Sequence, residues 1–264
     1  MYTHLAEHTF RRMEKKIIIE KAVIPSLQEK LSHFMVPDIY NTDGKPYMIC
    51  NLYFDDAWNQ VIRTSVERPI YKEKLRLRSY GVPQDDSTVF LELKKKYRGV
   101  GTKRRVSMTY AESMEYLATG KHPADLSLFI NEQILREIDY YRSHHPVKPC
   151  TYVSYLRNAY SGIVDPTFRV TFDSDVLTRR YDLDLQKGRY GDPIFSPDKM
   201  LLEVKFTNAV PLWFARIMSE FDLSFHSFSK YGTAYRQNAY NQALAGVDPN
   251  DTQKKQQFYF PKEI

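Results

Sequence analysis

The chain has 264 residues, a net charge of +6 and a pI near 9.0. This length suffices for one large domain or two small ones with a sizeable core, and the charge calls for a polyanionic partner: nucleic acid, an anionic membrane or a phosphorylated small molecule. No apolar run approaches the roughly 20 residues of a membrane span, and MYTHLAEHTFRRMEKK has no secretory apolar stretch, so a cytoplasmic protein is expected.

Residues 10–20, FRRMEKKIIIE, put Arg12, Glu14 and Lys16 on one face of a strand, with Met13, Ile17 and Ile19 on the other. Pro25 opens a helix in which Leu27, Leu31, Phe34 and Met35 recur at helical spacing. YMICNLYFDD (47–56) reads as a strand ending in a helix N-cap at Asp55 or Asp56, with the helix stopping before Pro69. Next comes KEKLRLRSY (72–80), where Leu75 and Leu77 alternate with Lys74, Arg76 and Arg78. GVPQDD turns the chain into VFLELKKKY (89–97), which sets Leu91 and Leu93 against Glu92, Lys94 and Lys96. RGVG forms a hairpin turn, and TKRRVSMTY (102–110) sets Lys103, Arg105 and Ser107 against Arg104, Val106 and Met108.

Helices are expected over 111–118 and 126–141, followed by the loop HHPVKP, with His144 and His145 as polar loop residues. Strands resume at TYVSYLRNAYS (151–161) and FRVTFDSDV (168–176), where Arg169, Thr171 and Asp173 oppose Val170 and Phe172. After a connection rich in Gly, Pro and Asp, MLLEVKFT (200–207) opposes Glu203 and Lys205 to Leu202, Val204 and Phe206. Helical patterns over 211–221 and 231–244, joined by HSFSKYG, complete a single domain of residues 1–246 and leave 247–264 as a tail. Trp58 and Trp213 fall in helical patterns as packing anchors. The 20 tyrosines and 14% aromatic content fit a β-rich protein. Cys50 and Cys150 lack a CxxC spacing and read as free thiols, with a disulfide as the alternative.

One pattern recurs through these strands: charges of both signs opposite aliphatic residues. An open sheet with helices on one face and water on the other would show it strand by strand. The composition of the charged faces points elsewhere, because Arg-x-Arg pairs suit bidentate phosphate recognition. The carboxylates among them suit a divalent metal beside phosphates. A barrel with helices outside would gather these charges in one lumen. So many enclosed cations are tolerable only if water or an anion fills the space. The expectation is a wet tunnel for a polyphosphate-like ligand.

In motif order, roughly from Phe10 to Tyr240, the chain resembles the polyphosphate-polymerase domain of the vacuolar transporter chaperone (VTC) family, within the triphosphate tunnel metalloenzymes. FRRMEKK is similar to the family's opening strand, with Arg12 and the phosphate-binding Lys16. LRLR supplies Arg76 and Arg78, and LELKKK with GTKRR supplies Lys94, Lys103 and Arg105. SYLRNAY supplies Tyr155 and Arg157, FRVTFD supplies Arg169, LLEVKF supplies Glu203 and Lys205, and FSKY supplies Ser229 and Lys230.

The resemblance implies an α+β fold, an antiparallel β-barrel with a charged lumen and outer helices. It implies Mn2+ or Mg2+ held by Glu203, with Glu14 and Glu92 as further metal ligands. Arg76, Arg78, Lys94, Arg157, Arg169 and Lys205 would act on the transferring phosphate, and the other named residues would bind substrate. The implied reaction passes the ATP γ-phosphate to a polyphosphate chain. A triphosphatase of the same fold and a non-enzymatic polyphosphate binder are the alternatives. Related triphosphatases open with Glu-x-Glu-x-Lys, and here Arg12 takes the first position, which favours the polymerase. A stand-alone domain with a possible membrane-protein partner is expected, and nucleic acid is not.

Overall fold

The alternation seen in the sequence becomes a mixed α+β architecture in a computed structural model, which describes residues 13–41, 44–67, 69–98, 100–124 and 129–244. In chain order these are β1 (Met13–Glu20), a short 3-10 turn, α1 (Ile24–Ser32), β2 (Met35–Pro37), β3 (Tyr47–Asp55), α2 (Gln60–Val66), β4 (Tyr71–Tyr80), β5 (Thr88–Tyr97) and β6 (Val100–Thr109). Then follow α3 (Tyr110–Thr119), α4 (Phe129–His144), β7 (Lys148–Gly162), β8 (Arg169–Arg179), β9 (Asp192–Pro193), β10 (Lys199–Phe206), α5 (Leu212–Glu220) and α6 (Lys230–Leu244). The strands form one antiparallel sheet in the order β1-β10-β8-β7-β3-β4-β5-β6, with β2 and β9 added beside β7 and β8. Arg12 and the tail from residue 247 lie outside the described residues.

The pleat sends successive side chains to opposite faces, and the aliphatic face is the covered one. Leu75, Leu77, Leu91, Leu93 and Val106 are buried with Ile134, Leu135 and Ile138 of α4 and Tyr116 of α3. Ile17, Ile19, Val170, Leu202 and Val204 pack against Leu27 and Leu31 of α1 and Phe214 and Ile217 of α5. Each such side chain contributes about 1.5–3 kcal/mol on burial, so the two apolar layers fix the sheet's outer side. Capping sharpens the helix starts. Thr109 and Glu112 form a reciprocal capping box on α3, and the Asp55 carboxylate accepts the amides of Val61 and Ile62 in α2.

The sheet curls strongly. Glu14 on β1 and Lys94 on β5, at nearly opposite ends of the strand order, lie close enough for each to shift the other's proton affinity. Among the described residues no ladder joins β1 to β6. The free edge of β1 is met instead by the α5–α6 connection, where the His226 amide donates to the Lys16 carbonyl at 2.8 Å.

Several local expectations shift. Trp58 lies in a turn, 54% exposed, because Asp56 accepts the amides of Trp58 and Gln60 and delays the helix. Trp213 does anchor a helix, stacked on Phe34 at 4.5 Å. Phe34 itself sits past the end of α1, and Met35 begins β2. α4 runs through His144, whose ring nitrogen meets the Tyr140 carbonyl, and β7 begins within the expected proline loop at Lys148. Both cysteines are free thiols.

Candidate functional site

Strand parity assembles the site. In register, Arg76 on β4 faces Glu92 on β5, which faces Arg105 on β6. Glu92 is fully buried and both of its oxygens are taken. Arg76 Nε donates to Oε2 at 2.9 Å, Arg105 Nε donates to Oε1 at 2.7 Å, and Lys103 Nζ stands 3.6 Å from Oε1. Burial alone would raise the Glu92 carboxyl, but Arg76, Arg78, Lys103 and Arg105 together hold it well below the usual range. This revises the expectation of a metal ligand at Glu92: its lone pairs are committed to guanidinium groups, so it serves as their counter-ion and aligns them.

Arg78 is buried among neutral partners. Its Nε donates to Asn51 Oδ1 at 2.8 Å and its Nη2 to the Tyr155 hydroxyl at 3.1 Å. Tyr53, the neighbour of Asn51 two residues along β3, accepts from Arg76 Nη1 at 3.2 Å. Burial pushes the Tyr53 phenol up, but Arg76, Lys94 and Arg78 outweigh it and bring it down to about 8.

A second cluster centres on Asp173 of β8, also fully buried. Arg157 of β7 binds it through two bonds, at 2.6 and 2.8 Å, and Lys230 of α6 donates to it at 2.5 Å. Lys230 is held there by its helix start. The Ser229 hydroxyl accepts the Gly232 amide, so Ser229 caps α6 and sets its first residue. That places the Ser229 side chain in service of the helix, where the resemblance implied substrate contact. Arg169 is half-buried and ion-paired with Asp38, which the sequence did not single out.

The third cluster pairs β1 with β10. Lys16 contacts Glu14 at 2.6 Å and lies 3.9 Å from Glu203, while Lys205 contacts Glu203 at 2.6 Å. Burial and Glu203 both push the Glu14 carboxyl up, yet Lys16, Lys205 and Lys94 bring it down to about 2. Glu203 is likewise held well below the usual range by Lys205, Lys16 and Arg157 against the cost of burial.

Lys74, Lys94 and Lys103 are in the opposite condition. Each is pushed down to about 8, in every case by burial first. Lys94 nevertheless keeps accessible surface, which lies on the concave face it shares with Glu92. An amine that is exposed and yet crowded by protein fits the concave side of the curled sheet.

A divalent cation of the Mg2+ type takes one or two carboxylates and completes its shell with phosphate oxygens and water. Glu14 and Glu203 share one field and supply that number, so the residues present fit such an ion when a phosphate ligand accompanies it. Among the described residues no group of three His, Cys, Asp or Glu is poised to hold a metal by itself.

The structure thus brings together Lys16, Arg76, Arg78, Lys94, Lys103, Arg105, Tyr155, Arg157, Glu203, Lys205 and Lys230, with Arg169 near one end. Sequence reasoning passed over Asn51 and Tyr53, although both alternate onto the inner face of YMICNLYFDD. It also gave Asp173 no role, because its partner Lys230 is 57 residues away.

Two solved structures are similar over most of both chains. A candidate adenylate cyclase from Bacillus halodurans is 15% identical, with 83% of this chain and 95% of that one covered and a TM-score of 0.49. A candidate adenylyl cyclase from Hippeastrum with a dominant triphosphatase activity is 16% identical, with 86% and 96% covered and a TM-score of 0.46. No protein of curated function matches. The VTC domain family matches residues 11–238, and the chain belongs to that family.

Proposed function

We propose that this protein is a polyphosphate polymerase that transfers the γ-phosphate of ATP to the end of a polyphosphate chain and releases ADP. The observation that carries the reading is the concave face itself. Arg78 and Arg76 lie in line with Lys74 and Lys94 on one wall, and Arg157, Lys205 and Lys16 line the other. A polyanion several phosphates long is the ligand such a face accommodates.

Phosphoryl transfer is largely positioning and charge neutralisation. Arg76 and Arg105 are held rigid by Glu92, and Arg157 by Asp173, so their outward N–H groups are aimed before substrate arrives. In the proposed step the bond between the γ-phosphorus and its bridging oxygen breaks and one forms to the terminal oxygen of the acceptor chain. That oxygen is already anionic, so no base is required. The four carboxylates fit this. Glu14, Glu92, Asp173 and Glu203 are all held below their ordinary values by cations, which makes them weak proton acceptors for activating water. A divalent ion held by Glu14 and Glu203 would add Lewis-acid polarisation of phosphate oxygens. Among the described residues no helix is long and apolar enough to cross a membrane. A membrane-protein partner that takes the product is a further part of this proposal, suggested by the family.

Purified protein with ATP and Mn2+ or Mg2+ should yield ADP and polyphosphate chains on a gel in matching amounts. Arg76→Ala/Arg78→Ala should abolish both. Orthophosphate without chains would move the assignment to a triphosphatase, and no turnover with intact polyphosphate binding would leave a binding protein.

A further inference from the structure

At one end of the concave face the charges give way to aromatic rings. Parity puts Tyr80 on the same face of β4 as Arg76 and Arg78, and Phe90, directly opposite Arg78, on the same face of β5 as Glu92. Tyr47 on β3 lies opposite Arg157 on β7. Tyr40, from the β2–β3 connection, completes the group. Ring centroids are 6.2 Å apart for Tyr40 and Tyr47, 6.1 Å for Tyr47 and Tyr80, and 5.7 Å for Tyr80 and Phe90. Tyr40 and Tyr80 are near-parallel, 16° apart in plane and 6.4 Å between centroids. They are also 66% and 49% exposed, so this cluster is not core. The Arg105 guanidinium lies 4.4 Å from the Phe90 ring centre, and Tyr47 sits in the fields of Arg157 and Arg169.

We propose that this aromatic rim is a stacking platform for the base of a purine nucleoside triphosphate, whose phosphates lie along the arginines. The inference rests on the reading of the concave face as a triphosphate site and adds what holds the other end of the donor. Tyr80 is two residues beyond Arg78, about 7 Å along the strand, which leaves room for a ribose between phosphate and base. The molecule's packed stacks, Phe34 on Trp213 and Tyr53 on Tyr231, close to 4.5 and 4.6 Å. Tyr40 and Tyr80 stand wider than that, at 6.4 Å, and keep exposed ring faces that a planar base can cover. Stacking is tolerant of base identity and follows ring area. The platform therefore favours ATP and GTP together over CTP and UTP.

Calorimetric titration of the full chain with ATP and with tripolyphosphate, in the same Mg2+ buffer, separates the two layers of the argument. Tyr40→Ala and Tyr80→Ala should each weaken ATP about tenfold and leave tripolyphosphate unchanged, while Tyr80→Phe should retain ATP. Unchanged ATP affinity in both alanine variants, or equal losses for ATP and tripolyphosphate, would overturn the platform and leave the triphosphate site standing. Failure of the unaltered protein to bind either ligand would overturn the triphosphate reading itself.

Discussion

Arg76 and Lys94 occupy adjacent strands of the same inner face, yet their surroundings differ in kind. The Arg76 guanidinium is bound by Glu92 through two nitrogens and touches the Tyr53 hydroxyl, so its charge is answered within the protein. Lys94 has no carboxylate within ion-pair distance among the described residues. Its cross-strand partners are Lys74 and Lys103, both cations, and Arg76 is the strongest charge acting on it. The arginine clusters are preorganised machinery, while among the described residues Lys74 and Lys94 have no carboxylate at ion-pair distance, and an added anion would answer their charge. The unliganded protein therefore carries an electrostatic cost at these lysines that polyanion binding relieves, a cost the paired arginines do not carry.

The largest effect should come from breaking a finished cluster. Asp173→Ala leaves Arg157 and Lys230 buried without their counter-ion, and about 3–5 kcal/mol of stability should be lost in urea denaturation. A loss under about 1 kcal/mol would show that water already solvates those cations and that the two regions do not differ. At the lysine side the sign should reverse. Lys94→Met removes a strained charge, so the unliganded protein should be as stable as before or more so. Affinity for tripolyphosphate should fall by about tenfold or more, the worth of a charge-assisted hydrogen bond. Lower stability without a change in affinity would refute the coupling.

Proton linkage gives a smaller and sharper test. Lys74, Lys94 and Lys103 titrate near 8 when folded, against 10.5 ordinarily. Between pH 8 and 9.5 the unfolded chain holds protons that the folded one has released, so these groups make unliganded stability rise with pH. The lowered Tyr53 phenol acts in the same direction. Over that window the inner face loses positive charge, so the rise in Tm caused by tripolyphosphate should shrink between pH 7 and pH 9.5. The smallest expected effect is Trp58→Ser, on an exposed turn, which should shift stability by less than about 0.5 kcal/mol. A larger loss would show that this turn supports the site through α2.

Much of the wall was legible because alternation is a local property of the pleat. Leu75, Leu77, Leu91 and Leu93 announce a covered face wherever the strand ends up, and their charged neighbours must then share the other one. What each charged residue does was less legible. Glu92 among lysines and arginines is equally suited in sequence to a metal or a guanidinium. The register that places it between Arg76 and Arg105 is what commits it to the latter. The rim of Tyr40, Tyr47, Tyr80 and Phe90 draws on separate segments whose tyrosines individually look like ordinary strand residues.

By itself, then, the chain determined which residues face inward, which face the helices, and that the inner face would be cationic, since two-residue periodicity and composition need no tertiary information. Tertiary structure decided the pairings: Lys230 with Asp173, Arg169 with Asp38, the α5–α6 connection with the free edge of β1. It also decided which cations are neutralised and which are left for a ligand. Those outcomes depend on strand order and register, which bring together groups as many as 210 residues apart, as with Lys16 and His226, and no local pattern encodes contacts at that range.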